Sequence, residues 1–420
     1  MCIDINKTTT IELTMVDTGK MNSSKTIALV DWVWEGHHPL FYKLFLRALL
    51  ELGCTVLAIC PEPDEVSAAI SDLPSEPLSR VTFERGTWAS ALHFVPERFQ
   101  HRLGTTRTIR AVAKSIRRWE IAQKKSVDLV FFACIYNLHF SGWKEAEWSF
   151  PYSWSGLFLF SGKFRRVPPT AGWSDLPPNL MIELRSPRMK SLAVLDEGVT
   201  QIMERLCERP VVTFPDVSDV SFEESSPMML KLKRFAAGAP IIGSLGFLKR
   251  SKGILTLARL ALNPANSDLC FAFIGQVDWP GYDPEEQNLI SMAIERCPNV
   301  YAHFSRIRDE GTFNACIRVC DVIFAAYLNF ADSSGILSKA AVFERPIIVS
   351  EGFVMAERVR KYHLGEVIPG GDVEAASRAI RKLLKQGSER VEPPPDWEGY
   401  REEHSYQRLK TSFSEILSAN

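Results

Sequence analysis

The stretch Ala331–Ser350, ADSSGILSKAAVFERPIIVS, predicts a ligand-binding loop, a helix and a buried strand in immediate succession. Ser333 and Ser334 are residue types that cap helix N-termini, and Gly335 lets a ligand approach the backbone. Free N–H groups at such an N-terminus attract an anion. Pro346 ends the helix, and the β-branched run after it is typical of a strand buried on both faces. The stretch therefore predicts either a phosphate-binding loop or an ordinary αβ unit of a parallel sheet.

Strand, loop and helix alternate on both sides of this stretch. One set begins at Lys25 with KTIALVDWV, and a second begins at Pro240 with PIIGSLG. Alternation at this spacing is typical of parallel sheets with helices on both faces. The sequence therefore predicts an α/β protein of two Rossmann-like, doubly wound domains that face a cleft, and ligands of such sheets bind at the carboxyl ends of the strands.

The predicted boundaries follow composition and apolar periodicity. Glu, Ser and Pro residues between the two alternating sets indicate a linker, and a proline run precedes a last helix with an apolar stripe that needs a partner surface. The predicted segments are a flexible tail (1–24), a first domain (25–210), a linker (211–238), a second domain (239–392) and a C-terminal helix (393–420).

Composition restricts the classes of function. The 420 residues carry a net charge of -1 and no long apolar run, so neither a bilayer-spanning segment nor a nucleic-acid partner is expected. Residues 1–24 lack the apolar core of a secretory signal, which favours a cytoplasmic protein. The nine cysteines include no CxxC pair and lie mostly in apolar segments, so reduced core thiols are expected and a metal site is not.

Two loops offer groups that suit a diphosphate. The turn after the strand at Pro240 carries Gly246, Arg250 and Lys252, and it matches neither a Walker loop nor a GxGxxG motif. A solvated basic turn explains it equally well. Because strand ends of one parallel sheet meet at one edge, we expect Lys252 and the loop at Ser333–Gly335 to converge on the same ligand.

Three histidines are candidates for further contacts. His37 and His38 follow Gly36 at the mouth of the first strand, and His139 follows another buried strand of the first domain. Each could bind acceptor, sugar or phosphate in the cleft, or be an ordinary loop residue.

Over about residues 240–384 the order of motifs resembles the retaining GT-B glycosyltransferases of family four, the glycogen-synthase and mannosyltransferase-like group. IIGSLGFLKRSKGI resembles the strand, glycine turn and Lys-Gly of that family, and CDVIFAA resembles its later strand. SSGILSKAAVFERPIIVS, followed by GEVIPGGDVEAASRAI, resembles its donor loop and the segments after it. The first domain matches only in outline.

The resemblance implies a nucleoside diphosphate sugar donor held by the second domain, an acceptor held by the first, a last helix that crosses back to the first domain, and no metal or other cofactor. Carried over by position, it implies that Lys252 pairs with the donor diphosphate and that Ser333, Ser334 and Gly335 bind its distal phosphate. The predicted donor site also includes Gly36, Gly246 and Arg250, and the predicted catalytic residues are His38, His139 and Asp332. The expected acceptor is a glycan, a lipid-linked molecule or a small molecule.

The sequence departs from the family at the donor loop. The two family glutamates fall on Ala331 and Lys339, and a lysine cannot accept ribose hydroxyl protons. Asp332 or Glu344 is then expected to supply the carboxylate. The alternatives are a non-catalytic GT-B homologue that binds a nucleotide, a glycan or a protein, and a GT-B nucleotide-sugar epimerase.

A basic segment lies between Arg98 and Lys125, with its cations concentrated from Arg107 to Arg118. Related enzymes with lipid-linked acceptors dock such a patch on anionic membrane, which would place the protein peripherally at the inner membrane face. A solvated outer helix face explains the segment as well.

Overall fold

The computed structural model describes residues 24–87, 97–135, 150–168, 170, 172, 182–386 and 393–419. In this part of the chain, every strand pair of the two sheets is parallel, and the strand orders are β3-β2-β1-β4-β5-β6-β7 and β10-β9-β8-β11-β12-β13. Both orders reverse beside the first strand of the sheet. This is the doubly wound arrangement, and its ligand crevice lies at the reversal point.

The first sheet follows the alternation that the sequence predicts. Its strands are β1 (Thr26–Val30), β2 (Thr55–Cys60), β3 (Val81–Arg85), β4 (Leu129–Ile135), β5 (Trp154–Phe158), β6 (Leu192–Val194) and β7 (Val211–Thr213). Its helices are α1 (His38–Glu51), α2 (Pro63–Ala69), α3 (Ser75–Leu78), α4 (Glu97–Gln123) and α5 (Thr200–Cys207), with 3-10 turns at Gly162–Arg166, Ile182–Arg185 and Glu197–Val199.

The second sheet is built in the same way. Its strands are β8 (Ile241–Leu245), β9 (Cys270–Ile274), β10 (Val300–His303), β11 (Val322–Ala325), β12 (Ile347–Ser350) and β13 (Gly365–Ile368). Its helices are α6 (Pro227–Ala236), α7 (Ile254–Leu262), α8 (Pro284–Arg296), α9 (Glu310–Val319), α10 (Gly335–Val342), α11 (Phe353–Tyr362) and α12 (Val373–Gln386), with 3-10 turns at Arg250–Lys252, Pro264–Asn266 and Trp279–Gly281.

Each sheet lies between two apolar layers. One face of the first sheet packs on α1, and the other packs on α4 and α5. One face of the second sheet packs on α9, α10 and α11, and the other packs on α7, α8 and α12. The central strands are buried on both faces, which explains why their sequences are apolar without alternation.

The C-terminal segment joins the two halves. It forms two helices, α13 (Trp397–Glu403) and α14 (Tyr406–Ser418), instead of the single helix predicted from the apolar stripe. Tyr400 of α13 lies in the core of the second sheet, and Phe413 of α14 lies in the core of the first. Ser405 caps α14 by accepting a hydrogen bond from the Arg408 N–H, so the chain turns sharply between the two cores.

Two local predictions differ from the structure. The predicted linker, 211–238, contains β7, which pairs with β6, and α6, which packs in the second core. The helix predicted within Ala331–Ser350 ends at Val342 and does not continue to Pro346, because Glu344 takes a positive φ of 53°. In the part of the chain that the structure describes, no helix combines the length and apolar character needed to cross a bilayer.

Candidate functional site

The loops after β8 and β11 meet at one edge of the second sheet. The Leu328 N–H donates to the carbonyl of Ser251 over 2.7 Å and ties the two loops together. Gly253 lies against the end of β11, where a Cβ would stand 2.4 Å from the Ala326 carbonyl oxygen. Its φ of 73° also favours glycine. This close approach places Lys252 beside the loop that leads to α10.

Two helix N-termini open at this edge. Helix α7 begins after Gly253 and helix α10 after Ser334, and neither has a side-chain cap hydrogen bond. The expected serine cap is therefore absent from α10. Because the first N–H groups of a helix have no acceptor within the helix, both N-termini can serve a bound anion.

Lys252 is held by aromatic rings. Its Nζ lies 3.8 Å from the ring centroid of Tyr327 and 5.4 Å from that of Phe330. The two rings pack edge to face with centroids 5.3 Å apart. In the described residues no carboxylate is ion-paired with Lys252, so the ammonium can serve a ligand.

Arg250 and Gly246 have other environments. The exposed guanidinium of Arg250 donates to Glu286 of α8 over 2.6 Å, so it already has a carboxylate partner. Gly246, with φ 112°, lies so close to Gly275 that a Cβ there would stand 1.8 Å from the Gly246 carbonyl oxygen. The positive φ favours glycine at position 246, and the close approach of the Gly246 carbonyl favours it at position 275.

His37 faces the second domain across the cleft. Its Cε1 lies 3.5 Å from the position of a Cβ built on Gly335, so its ring borders the start of α10. Gly36 takes a φ of 61° in the turn before it. The protein around the His37 ring lowers its pKa, Asp216 opposes that effect, and the cations Lys252 and Lys339 add to it. Gly36 therefore forms the turn that leads to His37, and the His37 ring lines the first-domain side of the cleft.

His38 is in a different place from the one predicted. It is the first residue of α1 and only 2% exposed, and its Nδ1 lies 2.7 Å from Asp31 Oδ2. Burial raises the pKa of Asp31, and the His38 contact opposes that effect. Cys134 completes a buried cluster with ligand atoms within 4.8 Å of one another. The hydrogen-bond distance between His38 and Asp31 identifies a core pair. The prediction that His38 faces the cleft is wrong.

Asp332 contacts the first domain directly. Its Oδ1 accepts a hydrogen bond from the Gly162 N–H over 2.8 Å. A Cβ at Gly162 would stand 2.4 Å from the Ala331 carbonyl oxygen, so the two loops touch. Burial raises the pKa of Asp332 to about 6, Gly162 and Lys163 oppose the rise, and Asp196 adds to it. Asp332 is thus a carboxyl group that titrates near neutrality inside the cleft.

Ser333 belongs to a buried polar network. Its hydroxyl donates to Asp216 Oδ2 over 2.7 Å and accepts from Arg358 Nη1 over 2.8 Å. Arg358, only 1% exposed, also donates to Glu197 of the first domain over 2.7 Å. The Asp216 N–H donates to His404 Nδ1 over 3.1 Å, which fixes Nδ1 as the unprotonated nitrogen. The Ser333 side chain therefore couples the loop before α10 to both domains.

Lys339, where the family has a glutamate, is fully engaged. Its Nζ donates to Glu310 Oε2 and to Asn314 Oδ1 of α9, each over 2.7 Å. Glu344 accepts a hydrogen bond from Arg401 over 2.9 Å beyond the C-terminal end of α10, away from the cleft. The carboxylate beside Lys339 is thus Glu310, which the sequence did not indicate. His139 lies outside the described residues.

A second ion-pair group crosses the cleft. Arg165 of the first domain donates to Asp196, and its Nη1 and Nη2 lie 2.6 and 2.8 Å from the two carboxylate oxygens of Glu357 in α11. Together with Arg358 and Gly162 it holds the two domains in contact beside Ser333. Sequence reasoning missed these residues because their partners are up to 192 residues away.

No protein-family model matches the sequence, and a search of curated protein sequences finds no match. Solved structures do match. Sucrose-phosphate synthase from Thermosynechococcus elongatus is 16% identical with a TM-score of 0.66, covering 94% of this chain and 98% of that one. Anabaena Alr3699/HepE in complex with UDP and glucose is 12% identical with a TM-score of 0.64, covering 94% and 100%. Trehalose-6-phosphate from E. coli bound with UDP-2-fluoro glucose is 11% identical with a TM-score of 0.64, covering 94% and 99%.

These likenesses cover nearly the whole chain and both sheets. Together with the strand orders, they show that the protein has the α/β GT-B fold, as the sequence predicts. Identities of 11 to 16% establish the fold alone. Membership of family four stays a prediction.

Proposed function

We propose that the protein is a glycosyltransferase of the hexosyltransferase type, which moves a sugar from a nucleoside diphosphate donor to an acceptor. The observation that carries the proposal is one edge of the second sheet, where an unpaired lysine and two uncapped helix N-termini lie together. Departure of a diphosphate builds negative charge, and such groups stabilise charge at the place where it develops. The solved structures of this fold with UDP or a UDP-sugar bound support the same assignment.

The diphosphate would lie against the start of α10. Gly335 offers an N–H with no side chain in the way, while Lys252 offers an ammonium from the neighbouring loop. Ser334, only 8% exposed, shapes the turn, and the Ser333 hydroxyl holds the loop through Asp216. In this arrangement backbone N–H groups and Lys252 bind the phosphates, and the serine side chains position the loop.

The nucleoside would extend along α10 toward α9. Lys339 lies one turn beyond Gly335, and the ion pair with it directs Glu310 to that place. A carboxylate accepts hydroxyl protons, so Glu310 can bind a ribose diol even though position 339 is a lysine. We propose that the carboxylate expected on α10 is supplied by α9.

The acceptor and the transferred sugar would lie between the two domains. His37 borders the start of α10, and Asp332 lies where the neighbouring loop contacts Gly162 of the first domain. The Asp332 pKa of about 6 allows the carboxyl group to carry or release a proton near neutral pH. We include retention of the anomeric configuration because the sequence resemblance is to retaining enzymes. Proton NMR of the product anomer, followed from the first minutes of reaction, tests it.

A peripheral membrane contact is a separate part of the proposal. Helix α4 presents an exposed stripe of cations, with exposed Leu103 near one end and Ile121 near the other. The stripe consists of Arg107, Arg110, Lys114 and Arg117. Cations flanked by apolar side chains suit an anionic lipid surface and a lipid-linked acceptor. Sedimentation with phosphatidylglycerol vesicles tests it. The double variant Ile121→Glu/Lys114→Glu should bind these vesicles less than the wild type, and phosphatidylcholine vesicles are the control.

A non-catalytic GT-B homologue is the second candidate. The observation that favours it is a set of hydrogen bonds that hold the cleft closed. Gly162 donates to Asp332, and Arg358 donates to both Ser333 and Glu197. A binding protein needs no opening step for product release. This candidate predicts nucleotide binding without turnover.

The deciding experiment measures nucleoside diphosphate released from a panel of UDP-, GDP- and ADP-sugars, with and without glycan, lipid-linked and sugar-phosphate acceptors. Transfer predicts acceptor-dependent release that Lys252→Ala reduces and that a chelator leaves unchanged. Binding of UDP by calorimetry without release from any donor would favour the non-catalytic homologue. Absence of both binding and release would refute a nucleotide site at this edge.

A further inference from the structure

Tyr327 is a buried aromatic residue that lies directly beneath the ammonium of Lys252. The Lys252 Nζ stands 3.8 Å from the Tyr327 ring centroid, well inside the range of a cation–π contact. The Tyr327 ring is only 5% exposed and packs edge to face on Phe330, so its position is fixed by the core of the second sheet. The packed Tyr327 ring therefore gives the Lys252 ammonium a fixed surface to lie against.

Four other cations of the cleft differ from Lys252 in the kind of group that holds them. Arg165, Arg250, Arg358 and Lys339 each donate to a carboxylate over 2.8 Å or less. A carboxylate neutralises its cation and occupies its N–H groups. An aromatic face attracts the cation through its quadrupole and leaves the N–H groups free.

We infer that Tyr327 is a positioning residue, which holds Lys252 against the diphosphate site without neutralising it. The inference rests on the proposed function, because it assigns Lys252 to the donor. Phe330, 5.4 Å from the ammonium, braces the Tyr327 ring and contributes less directly. The phenol oxygen has no part in this role, so Phe can replace Tyr at position 327 and Leu cannot.

The first test needs no ligand. Lysines of the full chain are reductively ¹³C-methylated, and the Lys252 methyl signal is identified by its loss in Lys252→Arg. A methyl group over an aromatic face is shifted upfield by the ring current. The shift should persist in Tyr327→Phe and vanish in Tyr327→Leu. A Lys252 signal without an upfield shift in the wild type would overturn the inference even if the protein is an active transferase.

The second test is UDP affinity by calorimetry. Tyr327→Leu should weaken binding by about tenfold, within the range of a cation–π contact, and Tyr327→Phe should stay within about twofold of the wild type. Phe222→Leu is the matched control, because it removes a ring 4.2 Å from Arg318, which lies at the opposite end of α9 from Glu310. In Lys252→Ala, the further change Tyr327→Leu should cost no additional affinity.

The outcomes separate the two levels of the proposal. No UDP binding by the wild type refutes the proposed donor site and leaves the ring-current test to decide the position of Lys252. Normal UDP binding by a folded Tyr327→Leu variant overturns the positioning role. If the Leu variant melts early, Phe330→Leu replaces it, and unchanged affinity there together with an unchanged Lys252 methyl shift counts against the inference.

Discussion

The carboxyl group of Asp332 is partly buried where the two domains touch, so its ionisation should change the free energy of unfolding with pH. Its Oδ1 accepts a hydrogen bond from the Gly162 N–H, and burial raises its pKa from the usual 3.8 to about 6. Asn has nearly the same shape and keeps the accepting oxygen but has no charge. Asp332→Asn therefore removes the titration with little change to the contact.

The pH dependence has a definite sign. Below pH 3.8 the Asp332 carboxyl is protonated in both the folded and the unfolded chain. Between pH 3.8 and about 6 it ionises in the unfolded chain first, so the free energy of unfolding falls as the pH rises. Above that range the folded state carries a cost of up to about 3 kcal/mol, since one pKa unit corresponds to 1.36 kcal/mol. Asn carries no such cost.

Urea unfolding followed by tryptophan fluorescence, repeated from pH 4 to pH 8, measures this difference. Relative to the wild type, Asp332→Asn should gain up to about 3 kcal/mol between the two ends of the range. Asp64→Asn, a change at an exposed carboxylate, is the control and should follow the wild-type curve. Parallel curves for Asp332→Asn and the wild type would refute the argument that the folded protein destabilises this charge. If Asp332 acts in transfer, the same variant should lose turnover while it keeps UDP affinity.

Three further predictions concern other parts of the site and fold. Lys339→Glu should weaken UDP binding because it places two carboxylates side by side. The double variant Lys339→Glu/Glu310→Lys exchanges the two charges and should restore binding; calorimetry that shows no recovery counts against a ribose contact by this pair. UDP should raise the lowered pKa of His37, so lowering the pH from 7.5 to 5.5 should strengthen UDP binding more in the wild type than in His37→Gln, and equal slopes would exclude His37. Phe413→Ala should cost about 3 to 5 kcal/mol in urea unfolding, and a loss below about 1 kcal/mol would show that α14 does not brace the first core.

The two sheets were predictable because their central strands are apolar without alternation and the helices between them have a three-to-four-residue period. Ile241–Leu245 and Ile347–Ser350 both carry this pattern, and both are strands. The short elements were less predictable. Helices α2 and α3 span seven and four residues, too few for a periodic signal, and the two terminal helices are separated by a turn at Ser405 that the apolar stripe does not show.

The site was predictable only as a location. Sequence spacing placed the loops around Lys252 and Gly335 at one edge, because parallel strands end together. It did not distinguish His37 from His38, since this depends on the residue at which α1 begins: His38 is in the helix and turns inward to Asp31, while His37 stays in the loop. A shift of one residue along the chain therefore decides which imidazole reaches the cleft.

The partners of the cations were hidden for a different reason. Arg250 and Glu286 are 36 residues apart, and Arg358 and Glu197 are 161 apart, so no local pattern connects them. Once these pairs are known, the charges of the cleft can be assigned to partners. Arg165, Arg250 and Arg358 fasten loops and domains to one another, and carboxylates balance their charges.

Among the described residues of the cleft, Lys252 is held by two aromatic rings and has no carboxylate partner. A nucleoside diphosphate bound at the loops after β8 and β11, as proposed, would meet the Lys252 ammonium and the N–H groups of two helices, with Glu310 held in place by Lys339 at the far end. A site with more free cations would bind the diphosphate product more tightly and release it more slowly. In the proposed transfer, the Lys252 ammonium would stabilise the charge of the leaving diphosphate without binding the product too tightly, which is the balance that turnover requires.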